Sequence, residues 1–158
     1  MPNRIIKESI RESDSVDQLS PQAEVLFVRL ITFADDYGLF KADPRIVNPA
    51  IFPLKKYTDK QIQEWMDEVG KSGMITYYRA EDGKIYGAFT SWKKHQQIRS
   101  VKPKYPAPDG CKQELSISLL MKSSDINCNQ VKSDVPVIRI QSESNPTQKE
   151  NSGISRSI

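Results

Sequence analysis

Apolar side chains recur at Ala23, Leu26, Phe27, Leu30, Ile31, Phe33 and Ala34. Positions three and four apart stack along one side of a helix, so this run predicts a helix with a wide buried face. Ser20-Pro21 supplies its start, with Ser as the N-cap and Pro in the first turn, where a missing N–H is harmless. The helix is expected to end near Asp35-Asp36-Tyr37-Gly38, with Gly38 in the left-handed conformation at the exit. Leu39 and Phe40 read as a short strand. Asp43-Pro44 opens a second helix carrying Ile46, Val47, Ile51 and Phe52, kept short or irregular by Pro49 and Pro53. Thr58 with Gln61 forms a capping-box pattern ahead of Ile62, Trp65, Met66 and Val69, which predicts a third helix stopped by Lys71-Ser72-Gly73.

Two strand-like runs follow, Met74 to Tyr78 and Tyr86 to Trp92, joined by Ala80-Glu81-Asp82-Gly83; Asp-Gly is a strong hairpin signal. The predicted order is helix, short strand, helix, helix, hairpin. That is the arrangement of a winged helix-turn-helix. The expected fold class is therefore α+β, mainly α: a winged helix with a two- or three-stranded wing sheet, followed by a low-complexity tail. Residues 1–19 are expected to form an extended arm with a short helix near Arg4 to Arg11, residues 20–109 the winged-helix domain, and residues 110–158 a Ser/Asn-rich disordered tail.

Composition sharpens that last boundary. All thirteen aromatic residues lie between Phe27 and Tyr105, whereas residues 111–158 hold ten Ser, four Asn and four Gln. Such a tail has little apolar surface to offset the entropy of ordering. Leu115, Ile117, Leu119 and Leu120 form one small apolar patch in it, and Val135, Val137, Ile138 and Ile140 another, each open to ordering against a partner. Pro103, Pro106 and Pro108 favour an extended exit at the domain boundary.

The net charge of +3 identifies no partner by itself. Its distribution is more informative. Lys84 to Lys104 carries six Lys/Arg and no Asp/Glu, which leaves 17 basic and 20 acidic residues for the other 137 positions. Concentrated positive charge points to phosphate. Within this segment Lys84, Lys93, Lys94, Arg99, Lys102 and Lys104 are candidate phosphate contacts. His95 and Gln96 stand among them as hydrogen-bonding candidates, while Trp92, His95 and Tyr105 could stack on bases or sugars. Trp92, at the end of an alternating strand, is expected in the core. The third helix offers Lys60, Gln61 and Gln63 to a groove, since Gln can read base edges. Glu64, Asp67 and Glu68 on the same helix carry the wrong sign for phosphate and favour a solvated or protein-binding face there.

Other chemistries lack their residues. Asp35-Asp36 could begin a metal site. No further ligand accompanies the pair, so capping of the next turn or pairing with Arg29 or Arg45 is expected instead, and no metal or cofactor is predicted. His95 is the single histidine, and neither a nucleophile elbow nor a phosphate-binding glycine loop is present. The chain is expected not to be an enzyme. Cys111 and Cys128 have no metal-ligand spacing and fit a reduced cytoplasmic setting. No signal peptide or membrane span is evident.

An ordered motif series runs from Leu19-Ser20-Pro21-Gln22-Ala23-Glu24 through Phe27-Val28-Arg29-Leu30 and Ala34-Asp35-Asp36-Tyr37-Gly38 to Asp43-Pro44 and Ile51-Phe52-Pro53-Leu54. It continues with Trp65, Gly73-Met74-Ile75 and Gly83-Lys84-Ile85-Tyr86, and closes on Trp92-Lys93-Lys94-His95-Gln96. Over roughly residues 3–109 this series resembles the N-terminal domain of phage replisome-organiser proteins, related to the DnaD-like primosomal replication proteins. The resemblance implies a DNA-binding role in replication initiation, with duplex origin or single-stranded DNA, a helicase or helicase loader and further copies of the chain as partners. It also implies the host cytoplasm as the location. A protein-interaction or oligomerisation module of a primosome and a transcription regulator remain alternatives, because a winged helix alone does not separate them.

Overall fold

The computed structural model describes residues 3–123. Among them the chain is α+β, with six α-helices and one four-stranded antiparallel sheet. A 3-10 turn at Glu8–Glu12 and the short α1 (Asp14–Asp17) lead into α2 (Pro21–Phe33), β1 (Leu39–Lys41), α3 (Pro44–Ile51) and α4 (Asp59–Lys71). The hairpin strands β2 (Ile75–Arg79) and β3 (Ile85–Phe89) follow, then α5 (Trp92–His95), β4 (Gln113–Glu114) and α6 (Ile117–Lys122).

Each of the three longer helices starts where its cap predicts. The Ser20 hydroxyl accepts from Ala23 N–H, Asp43 accepts from Arg45 N–H, and Thr58 and Gln61 form the full reciprocal box. A cap of this kind contributes about 1 kcal/mol by satisfying N–H groups that the helix itself cannot. The end of α2 departs from expectation. It stops at Phe33, ahead of the acidic pair, because Asp35 Oδ1 accepts the N–H groups of Tyr37 and Leu39, both at 2.9 Å, and folds the chain into a turn. Gly38 does adopt the left-handed conformation, at φ 79°, and a Cβ there would lie 2.6 Å from the Trp92 ring.

The sheet order is β1-β3-β2-β4, with Leu39 opposite Ala88 and Tyr77 opposite Gly87. One face carries Phe40, Ile75 and Tyr77 into the main core with Leu26, Leu30, Ile62 and Met66, all of them fully buried. Burying each such side chain contributes about 1.5–3 kcal/mol. The opposite face carries Leu39, Tyr78, Tyr86 and Ala88 and is roofed by Tyr37, Tyr105 and Cys111.

Three expectations are corrected. The sheet has four strands, not two or three, because residues placed in the tail add β4 to the β2 edge, pairing Tyr78 with Gln113. The stretch from residue 110 to 123 is not disordered as expected: α6 buries Ile117 completely and Leu120 to 3% exposure against α4 and β2. The patch at Val135 to Ile140 lies outside the described residues, as does Cys128. Trp92 is in the core as expected, at 5% exposure, but it opens α5 and does not end β3.

Candidate nucleic-acid interface

The segment that follows β3 is anchored at many points although it has little regular structure. Its anchor is the turn Asp35-Asp36-Tyr37. Asp36 Oδ2 accepts from Ser100 N–H at 3.0 Å and from the Ser100 hydroxyl at 2.6 Å. Asp35 Oδ2 accepts from Lys104 N–H at 2.8 Å, and the Tyr37 hydroxyl lies 3.1 Å from the carbonyls of both Ser100 and Val101. Beyond this, Tyr105 packs on Tyr86 at 5.8 Å and the Tyr78 hydroxyl donates to the Pro106 carbonyl. The prolines therefore do not release the chain at a boundary. The chain instead continues over the outer face of the sheet, where Tyr105 and Cys111 pack.

On this path Lys93, Lys94, His95, Arg99, Lys102 and Lys104 are all exposed. Lys84 is exposed at the β2–β3 turn, where its ammonium sits 3.4 Å from Asp82. The aromatic residues of the segment are not free to stack. Trp92 is buried, its indole N–H donating to the Asp36 carbonyl at 2.8 Å, and the Tyr105 ring is in contact with both Tyr86 and the Lys104 ammonium.

Gln96 is corrected. It is 8% exposed, and both ends of its amide engage the backbone of Ile5, so it is a structural residue and not a surface contact. Gln63 is half-buried and donates to the Ser118 hydroxyl at 2.8 Å, which turns it toward α6. Gln61 is exposed but its amide oxygen is held at 2.9 Å by Thr58 N–H in the capping box. Lys60 is exposed in the first turn of α4. Gln61 and Gln63 are thus directed to Thr58 and Ser118, apart from the hydrogen bonds that organise residues 96–104.

The acidity of α4 also changes meaning. Asp67 accepts the Ser116 hydroxyl at 2.8 Å, Ser118 N–H at 3.0 Å and the Ser118 hydroxyl, and so fastens the start of α6. Glu68 accepts the backbone N–H and the hydroxyl of Ser20 at the start of α2. Two of the three carboxylates that weighed against phosphate are thus occupied inside the chain, and Glu64 alone of the three is exposed.

The acidic pair at 35–36 has a local role, as expected, but with a different partner. Asp36 pairs with Arg4 at 3.0 Å, both side chains 8% exposed, while Arg45 pairs with Asp43 and Arg29 donates to the Ile51 carbonyl. The Ser100 hydroxyl, then Arg4, hold the Asp36 carboxyl below the usual carboxylate range against the opposing effect of desolvation. Arg4 also donates to the Ala34 carbonyl and lies 5.1 Å over the Trp92 ring. The arm brings one cation the sequence did not single out: exposed Lys7 donates to the Lys94 carbonyl at 2.6 Å and so stands beside α5. No local signal could have found it, because the contact spans 87 residues.

Among the described residues no group of three or more His, Cys, Asp or Glu could hold a metal ion, and no helix is long and apolar enough to cross a membrane. No family model, curated protein or solved structure matches this chain.

Proposed function

We propose that this chain is a winged-helix DNA-binding protein of the replisome-organiser kind, a binding protein of replication initiation without a cofactor. The order α2, β1, α3, α4 and the β2–β3 hairpin supports the winged-helix reading. The observation that carries the DNA reading is the exposed cationic path Lys93, Lys94, Arg99, Lys102 and Lys104, whose residues 100–104 are held by hydrogen bonds to the turn at 35–37. Phosphate contacts along it supply salt-sensitive affinity, with Lys84 on the wing and Lys60 on α4 as outlying contributors. The replication role rests on the motif series.

Anisotropy of a labelled duplex and of a labelled single strand, titrated across salt concentrations, tests the reading. Log affinity is expected to fall steeply with log salt, and the combined Lys93→Ala and Lys94→Ala replacement is expected to reduce the slope by about two. Absence of binding to either probe at low salt overturns it.

A second reading, a protein-interaction module of a primosome, draws support from a different surface. A groove of about 220 Å³ lined by Val25, Phe52, Tyr57 and Trp65 lies in the region of α2 and α4, and Leu54 in the α3–α4 loop is 94% exposed. Exposed apolar side chains of this kind are common where proteins dock. Light scattering separates this reading from the first: self-association weakened by Leu54→Asp, with DNA binding absent, favours it.

A further inference from the structure

Resting on the nucleic-acid reading of the strip, we propose that Asp36 and Tyr37 are positioning residues for it: they hold residues 100–104 in one fixed path, so that Arg99, Lys102 and Lys104 meet phosphate as a preformed array. Neither residue is suited to touch the ligand itself. Asp36 carries the sign of phosphate and is buried beneath the segment. Tyr37 directs its hydroxyl to the carbonyls of Ser100 and Val101, both 3.1 Å away.

The chemistry explains why a carboxylate belongs inside a phosphate-binding strip. Segment 96–112 contains no helix or strand, so its backbone N–H groups have no neighbouring strand as acceptor. Asp36 accepts Ser100 N–H and its hydroxyl, and Asp35 accepts Lys104 N–H, which fixes both ends of the five-residue stretch. Arg4 neutralises Asp36 from the far side. Asp36 thus anchors the strip without an unpaired negative charge facing the ligand. Ordering these residues before binding removes an entropic cost that a loose basic segment meets on contact.

The sign of one substitution separates positioning from simple charge. Asp36→Asn removes a negative charge near the cations, so Coulomb attraction alone tightens binding. Positioning makes the opposite prediction. Binding of a short labelled duplex at low salt is expected to weaken roughly three- to tenfold, with the log–log salt slope shallower by about one, because fewer phosphates are engaged together. Tyr37→Phe carries no charge change and removes only the hydroxyl; it is expected to shift affinity and slope in the same direction. It also decides the matter if Asp36→Asn fails to fold by circular dichroism. Loss of folded protein alone lowers the bound fraction and leaves the slope as it was. If the folded variants bind as tightly as the native chain, or more tightly, with unchanged slope, positioning is overturned while the DNA reading stands. If the native chain binds no nucleic acid, both fall together.

Discussion

Gln96 and Ile5 are joined through the amide of one and the backbone of the other. The Gln96 carbonyl oxygen accepts Ile5 N–H at 3.1 Å and its amide nitrogen donates to the Ile5 carbonyl at 2.7 Å, across 91 residues of chain. A buried side chain thereby does for the N-terminal arm what a neighbouring strand would do. Gln96→Ala leaves both backbone groups without their partner and is expected to cost about 1–3 kcal/mol. Urea denaturation measures the loss, and amide exchange at Ile5 and Ile6 locates it. Exchange there as slow as in the native chain would count against this role.

The fold depends on residues beyond the proline-rich exit. A chain ending at Asp109 loses the buried Ile117 and Leu120. At about 1.5–3 kcal/mol each, that removes about 3–6 kcal/mol, a large part of a domain's usual total of about 5–15 kcal/mol. Ile117→Ala alone is expected to cost about 2–5 kcal/mol. Equal thermal midpoints for chains ending at 109 and at 123 would contradict the packing of α6.

Gly38 meets Trp92 under two constraints at once, a positive φ of 79° and a Cβ position 2.6 Å from the ring. Gly38→Ala is expected to destabilise by about 2 kcal/mol or more, since backbone strain and displacement of the indole act together. Tryptophan fluorescence should report the moved ring. Retention of both native stability and native emission would rule the contact out.

Tyr77, Tyr78 and Tyr86 all have their phenol pKa raised, chiefly by burial, Tyr86 to about 12 and the other two further. A group with a raised folded pKa contributes stability that is complete below its unfolded value, about 10, and is lost as the pH climbs toward the folded value. Stability is therefore expected to be flat on this account below about pH 10 and to fall above it. Absorbance of phenolate should show these three tyrosines ionising only as the fold opens. Smooth ionisation of all six tyrosines near pH 10 in folded protein would be incompatible with their burial.

Much of the secondary structure was legible from local chemistry. Ser20, Asp43 and the Thr58–Gln61 box mark helix starts because a cap acts within three residues of itself. The Asp82-Gly83 turn works the same way, with Gly83 at φ 74°. The exposed cations of the candidate strip were legible too, because six basic residues without an acidic one are visible in any window. Gln96 and Gln63 were misread as surface donors, since polarity does not reveal a partner 91 or 55 residues away. The buried side of α6 was missed because the short apolar run around Ile117 and Leu120 stands in a Ser-rich stretch, and the α4 and β2 surfaces that bury it lie far away in the chain. One clue was present in α4: a Cβ on Gly70 would fall 2.0 Å from the Leu115 carbonyl, so this helix glycine admits the chain leading into α6.

The sequence by itself determined where α2, α3, α4 and the β2–β3 hairpin lie, and that positive charge gathers after the hairpin. These depend on interactions among residues close in the chain. Only the tertiary structure decided what the charged and polar residues face. Asp67 and Glu68 turned from an acidic surface into anchors for α6 and α2, and Asp36 from an expected partner of Arg29 or Arg45 into the partner of Arg4 and Ser100. A carboxylate's role depends on the donors within about 3 Å of it, and folding alone brings those donors there from distant parts of the chain.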